Sequence, residues 1–129
     1  MSLSIQQTAE KIGITSYTLR YYEKEEIIPR IERNSSGHRV YKEEDLDWIN
    51  FITCLKSTGM PIAEIKRFVQ LSRFGDATIG DRKQLLVSHQ KRLLAKIKKM
   101  NEYLERINWK VAYYQKLENE AGQANGATQ

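Results

Sequence analysis

Arg20 is the residue best equipped for recognition chemistry in this 129-residue chain. Its planar guanidinium can give two parallel hydrogen bonds to a guanine edge or to a phosphate, and Ser16 and Tyr17 stand just before it. A salt bridge to a neighbouring glutamate is the plainer use of the same side chain. Cys54 is the only thiol, which excludes an internal disulfide and any zinc site that needs two thiolates. Its neighbours on one helical face, Asn50, Phe51 and Thr58, bring no cation to favour a thiolate. Small-residue packing therefore accounts for it unless tertiary neighbours supply a charge. His38 and His89 are too isolated to form a metal site with Cys54. No nucleophile has a histidine partner, and there is no phosphate loop or acid pair, so the chain reads as neither an enzyme nor a holder of metal or cofactor.

The elements that must position these residues follow from spacing and punctuation. Met1 to Leu3 are set aside from the fold. Ser4 and Gln7 have capping-box spacing, and Ile5, Ala9 and Ile12 recur at helical intervals before Gly13. Thr15 or Ser16 caps a second helix expected to run to about Glu26, with Leu19 inward. Ala9, Gly13 and Leu19 then have helix-turn-helix spacing: a small residue at the crossing, a glycine in the turn and an apolar wedge. After Pro29, two extended runs around Asn34-Ser35-Ser36-Gly37 read as a hairpin spanning Arg30 to Tyr41. Glu43, Glu44 and Asp45 favour the start of a third helix carrying Leu46, Ile49, Ile52 and Leu55 and ending at Gly59. Pro61 suits the first turn of a fourth, with Ile62, Ile65, Phe68 and Val69.

The last segment has a seven-residue repeat. Leu86, Leu93, Met100, Ile107 and Tyr114 alternate with Gln90, Ile97, Leu104, Val111 and Glu118, and eight of these ten positions are apolar. A helix of roughly 40 residues would be about 60 Å long and could not bury that seam against four short helices, so a second copy is the expected partner. The other solution is a helix folded back over its own head. The expected organisation is a head at residues 4–74, a linker at 75–78, a dimerisation helix at 79–120 and a small, polar, disordered tail at 121–129.

The 21 Lys and Arg against 16 Asp and Glu suggest an anionic partner such as nucleic acid. Residues 1–45 nevertheless hold seven cations against eight acids, and residues 78–129 ten against five. Nucleic-acid binding by the head must use a few placed cations, with Glu23, Glu25 and Glu26 turned away from phosphate. The apolar runs are far shorter than the roughly 20 residues of a membrane span, and no signal peptide is evident, so a cytoplasmic protein is expected.

The order of elements resembles the MerR family of bacterial transcription regulators. The likeness is carried by Thr18-Leu19-Arg20-Tyr21-Tyr22-Glu23, Ile28-Pro29, Gly37-His38-Arg39-Val40-Tyr41, Asp45-Leu46 and Gly59-Met60-Pro61-Ile62-Ala63-Glu64-Ile65. Cys54 within Phe51-Ile52-Thr53-Cys54-Leu55 is similar to the thiol-based subgroup that senses aldehydes and other electrophiles. The resemblance implies a mainly α fold: a winged helix-turn-helix head with a small β-hairpin wing, then a long dimerisation helix in an antiparallel coiled coil. It implies a homodimer that reads a palindromic promoter, bends and untwists its DNA, and so serves RNA polymerase. Metal-sensing members use cysteines flanking the coil, which this chain lacks.

On that frame the second helix enters the major groove, presenting Ser16, Tyr17 and Arg20 to DNA. Tyr21 either joins them or packs in the head. In the wing, Arg33, Arg39 and Tyr41 would hold phosphates. His38 stands where the family usually has tyrosine, and Lys66 matches a basic backbone-binding position that a solvated lysine explains as well. Cys54 would be the effector site. The seam would be Leu86, Leu93, Ile97, Met100, Leu104, Ile107, Val111 and Tyr114. Tyr103, Trp109, Tyr113 and Tyr114 would pack coil and head. A coiled-coil module whose head binds protein, or a constitutive regulator with a structural Cys54, are the alternatives.

Overall fold

The computed structural model describes residues 2–127, with side chains through residue 124. Helices α1 (Ile5–Ile12), α2 (Ser16–Lys24), α3 (Glu43–Ser57), α4 (Ile62–Ser72) and α5 (Ile79–Ala127) are joined by a two-stranded hairpin, β1 (Glu32–Arg33) and β2 (Arg39–Val40), and a 3-10 turn at Gly75–Thr78. The chain forms two compact units, one ending at His89 and the other beginning at Gln90.

Local chemistry sets the helix ends. Ser4 Oγ accepts from the Gln7 amide at 3.1 Å while Gln7 Oε1 accepts from the Ser4 amide at 2.9 Å, the reciprocal box expected from the sequence. Gly13 ends α1 at φ 84°, where its amide donates to the Ala9 carbonyl. Thr15 caps α2 through the Thr18 amide at 3.0 Å. The α1–α2 crossing buries Ala9 and Leu19 as the spacing requires. α2 ends at Lys24, two residues before its expected limit, because Glu26 adopts φ 59° and turns the chain so that Ile27 and Ile28 enter the core. That core continues through Tyr22, Ile31, Ile49, Ile52 and Ile65.

Several expectations need correction. Leu3 belongs to the fold: its amide and carbonyl pair with Tyr41 at 2.9 and 2.8 Å, and its side chain packs on the core. The hairpin ladder is shorter than Arg30 to Tyr41, pairing only Glu32 with Val40 and Arg33 with Arg39. The segment expected as a linker is the 3-10 turn, whose Thr78 is buried and donates its hydroxyl to the Leu71 carbonyl at 2.5 Å. Beyond residue 120, α5 continues to Ala127 where a disordered tail was expected. Single glycines at 122 and 126 each cost about 1 kcal/mol in a helix, and no proline is present to break it. Residues 128 and 129 of that tail lie outside the described residues.

Candidate nucleic-acid interface

α2 and the hairpin meet at a groove of about 490 Å³. It brings together Ser16, Arg20, Arg33, His38 and Arg39, five of the nine side chains expected at DNA, and adds Ser4 and Gln6 from the start of α1. Neither of the added residues was singled out for DNA in the sequence, although Ser4 had already marked a helix start. Helical periodicity places Arg20 one turn after Ser16 on α2, and the hairpin supplies the opposite wall.

Arg20 is exposed and takes part in no ion pair among the described residues, so the neighbouring glutamates leave its fork available. Tyr17 is 76% exposed beside it. Tyr21 is more covered, with the Lys56 ammonium 5.5 Å from its ring centroid and 5.3 Å from that of Tyr22. This cation–π clasp ties α3 to α2, and nothing in the sequence pointed to Lys56.

The wing is braced by its own polar groups. Arg33 donates through Nη1 to the Gly37 carbonyl at 2.8 Å, and Asn34 Oδ1 accepts from the Ser36 and His38 amides. Gly37 sits at φ 81°, a conformation that glycine reaches without strain. Arg39 is partly committed: its Nε donates to Glu23 Oε1 at 2.7 Å, fastening the wing to α2. Three acids of the head, Glu23, Glu25 and Glu32, are paired with cations.

Tyr41 does not sit where a phosphate could reach it. Backbone pairing with Leu3 accompanies a ring that is fully buried in the core. Burial pushes the phenol pKa up, and the hydroxyl has no hydrogen-bond partner. Tyr41→Phe is therefore expected to bind DNA as the wild type does and to match or exceed its stability by up to about 1 kcal/mol, since an unsatisfied buried hydroxyl is removed. Parallel DNA titration and urea unfolding check this, and a tenfold loss of affinity would restore Tyr41 to the interface.

Lys66 is also engaged, donating to Glu25 Oε2 at 2.6 Å. The hydrogen bond from Lys66, and then its charge, hold the Glu25 carboxyl below its ordinary pKa, while Lys66 is raised chiefly by the same hydrogen bond. A lowered folded pKa makes the carboxylate's contribution present above the unfolded value and lost as pH falls through the folded one. Lys66→Gln should therefore lower the urea midpoint at neutral pH and converge on the wild type near about pH 2, below the carboxylate range. A gap constant across that range would contradict the pairing.

Cys54 lies exposed on α3, so small-residue packing in the core does not account for it. Leu86, expected in the dimer seam, is partly buried and packs on the core of its own head, because the first turns of α5 belong to that unit. Leu93 is half-buried, whereas Ile97, Met100, Leu104, Ile107, Val111 and Tyr114 are exposed, from 48% at Ile97 to 65% at Met100. Trp109 and Tyr113 stack with centroids 5.8 Å apart, both exposed in this chain. No group of three or more metal-ligating side chains occurs, and no helix is long and apolar enough to cross a membrane, among the described residues.

Comparison with known proteins agrees with this arrangement. Residues 3–72 match the family model for MerR HTH family regulatory proteins, and residues 46–109 match the MerR DNA-binding model. An HTH-type transcriptional regulator of Haemophilus influenzae is 40% identical over 116 residues, covering 90% of this chain and 86% of the relative. The HTH-type transcriptional regulator AdhR of Bacillus subtilis is 40% identical over 92 residues, covering 71% and 66%. Among solved structures, HiNmlR, a MerR family regulator lacking the sensor domain and bound to promoter DNA, superposes with a TM-score of 0.84. It shares 39% identity and covers 89% of this chain and 87% of its own. The helix-turn-helix, its braced wing and these matches together make the chain a member of the MerR family of DNA-binding transcriptional regulators, and not an enzyme.

Proposed function

We propose that the protein is a cytoplasmic homodimer that binds palindromic promoter DNA, distorts it, and thereby controls initiation by RNA polymerase. The observation that carries this reading is the groove between α2 and the wing, which gathers Ser16, Arg20, Arg33, His38 and Arg39 beside an exposed Tyr17. α2 enters the major groove with Arg20 on base edges, while the wing cations hold phosphate. Two such heads are joined through the apolar row from Leu93 to Tyr114 in an antiparallel coiled coil. A row of this length left in water would be a solubility liability, and a second copy removes it. Backbone contacts on both half-sites offset the cost of bending the spacer.

Cys54 is the proposed effector residue, taking a reversible adduct from an electrophile such as an aldehyde or a quinone. Its exposure on α3 supports this. The test is a reporter driven by the protein's own upstream promoter, with and without methylglyoxal, in wild type and Cys54→Ser. Induction in the wild type and none in the variant is expected. Equal induction in both would remove Cys54 from the mechanism and leave the DNA-binding reading in place.

A further inference from the structure

A link between Thr58 and His89 is not used by the reading above. Thr58 caps the C-terminus of α3, and its hydroxyl lies 2.8 Å from the Cys54 carbonyl and 3.1 Å from that of Leu55. The same oxygen is 2.8 Å from Nε2 of His89. A hydroxyl carries one hydrogen and a carbonyl can only accept, so the Thr58 hydroxyl donates to α3 and accepts from His89 Nε2–H. The network thus assigns the Nε2–H tautomer. Nδ1 is buried without a partner, and the ring, 6% exposed, is held by this one hydrogen bond.

An apolar side chain would fill this space without a buried, unsatisfied nitrogen, so packing alone is a poor account of the histidine. Its place in the fold is more informative. Thr58 stands one helical turn after Cys54, and its hydroxyl holds the Cys54 carbonyl itself. Among the described side chains His89 is the last buried residue of α5, and it is the last residue of the first compact unit. Neither residue lines the groove that gathers the DNA-facing side chains.

We infer that the Thr58–His89 hydrogen bond is a positioning latch, joining the Cys54 turn of α3 to α5 at the residue where the first compact unit ends, and that promoter distortion depends on it while operator affinity does not. This rests on the distortion mechanism proposed above. Affinity comes from groups on α2 and the wing, which the latch leaves in place. Distortion requires each head to be held rigidly at the helix that joins it to its partner, and an adduct on Cys54 acts on the same turn that the latch holds.

The experiment compares full-length Thr58→Val and His89→Leu with Thr58→Ser and His89→Gln, which keep the hydroxyl and an N–H donor. Affinity for the protein's own promoter fragment is measured together with energy transfer between dyes at the fragment's two ends. The Val and Leu variants should bind within about threefold of wild type yet lose most of the bend-dependent transfer, and the Ser and Gln variants should recover it. Nitrogen NMR of His89 in the wild type should show the Nε2–H tautomer. Unchanged transfer in the Val and Leu variants, affinity and transfer falling together, or an Nδ1–H ring each overturns the latch. A wild type that binds the fragment without bending it refutes the distortion mechanism instead, and is recognised before any variant is examined.

Discussion

Ile97→Glu combined with Leu104→Glu should leave a folded monomer whose affinity for a full promoter site is lower by about 100-fold or more, since linked heads gain 10²–10⁴ in avidity over a single head. Both side chains are about half exposed in the single chain, at 48% and 51%, so the change removes little packing within the protomer. In a dimer each glutamate occurs twice, and a carboxylate buried without a partner costs several kcal/mol. Sedimentation equilibrium and circular dichroism would establish the monomer and its intact head, and fluorescence anisotropy the affinity. A double variant that remains dimeric would place the interface elsewhere.

Arg20→Ala should cost about 1–3 kcal/mol, roughly 5- to 150-fold in operator affinity, and relax discrimination at the base it reads. The structure favours this assignment over a structural role because Arg20 takes part in no ion pair among the described residues. Arg39 provides the contrast. Its Nε already fastens the wing to Glu23, so loss of Arg39 would mix a missing phosphate contact with a displaced wing. Competition titrations of wild type and Arg20→Ala against operators changed one base pair at a time separate the two effects. Equal losses on every operator would make Arg20 a phosphate contact, and no loss at all would remove it from the interface.

Much of this fold is legible in the sequence, because its signals are local. The Ser4 box, Gly13, the Leu19 wedge and the acidic start of α3 each act within a few residues of themselves. Pairings between distant residues were not legible. Glu23 meets Arg39 and Glu25 meets Lys66 across 16 and 41 residues, and nothing in a single sequence selects those partners over nearer ones. Tyr41 is ambiguous in the sequence for a related reason. A tyrosine at the end of a polar hairpin suits a phosphate or a core equally well, and the deciding fact is its backbone pairing with Leu3, residues that had been set aside. The heptads mark an apolar row, but periodicity alone cannot reveal that Leu86 at its start packs partly on its own head. The +5 charge points toward nucleic acid, yet its surplus belongs to residues beyond 77, none of which lines the groove that gathers the candidate DNA-binding residues.

The salt dependence of binding to the promoter fragment is the most direct test of the central claim. If paired heads hold DNA through wing cations and Arg20, the logarithm of affinity should fall linearly with the logarithm of salt, with a slope of about −4.5 or steeper for five or more neutralised phosphates. The slope should be shallower for the seam variant, which engages one half-site. A flat dependence, or no preference for the promoter over unrelated DNA at any salt, would contradict the account.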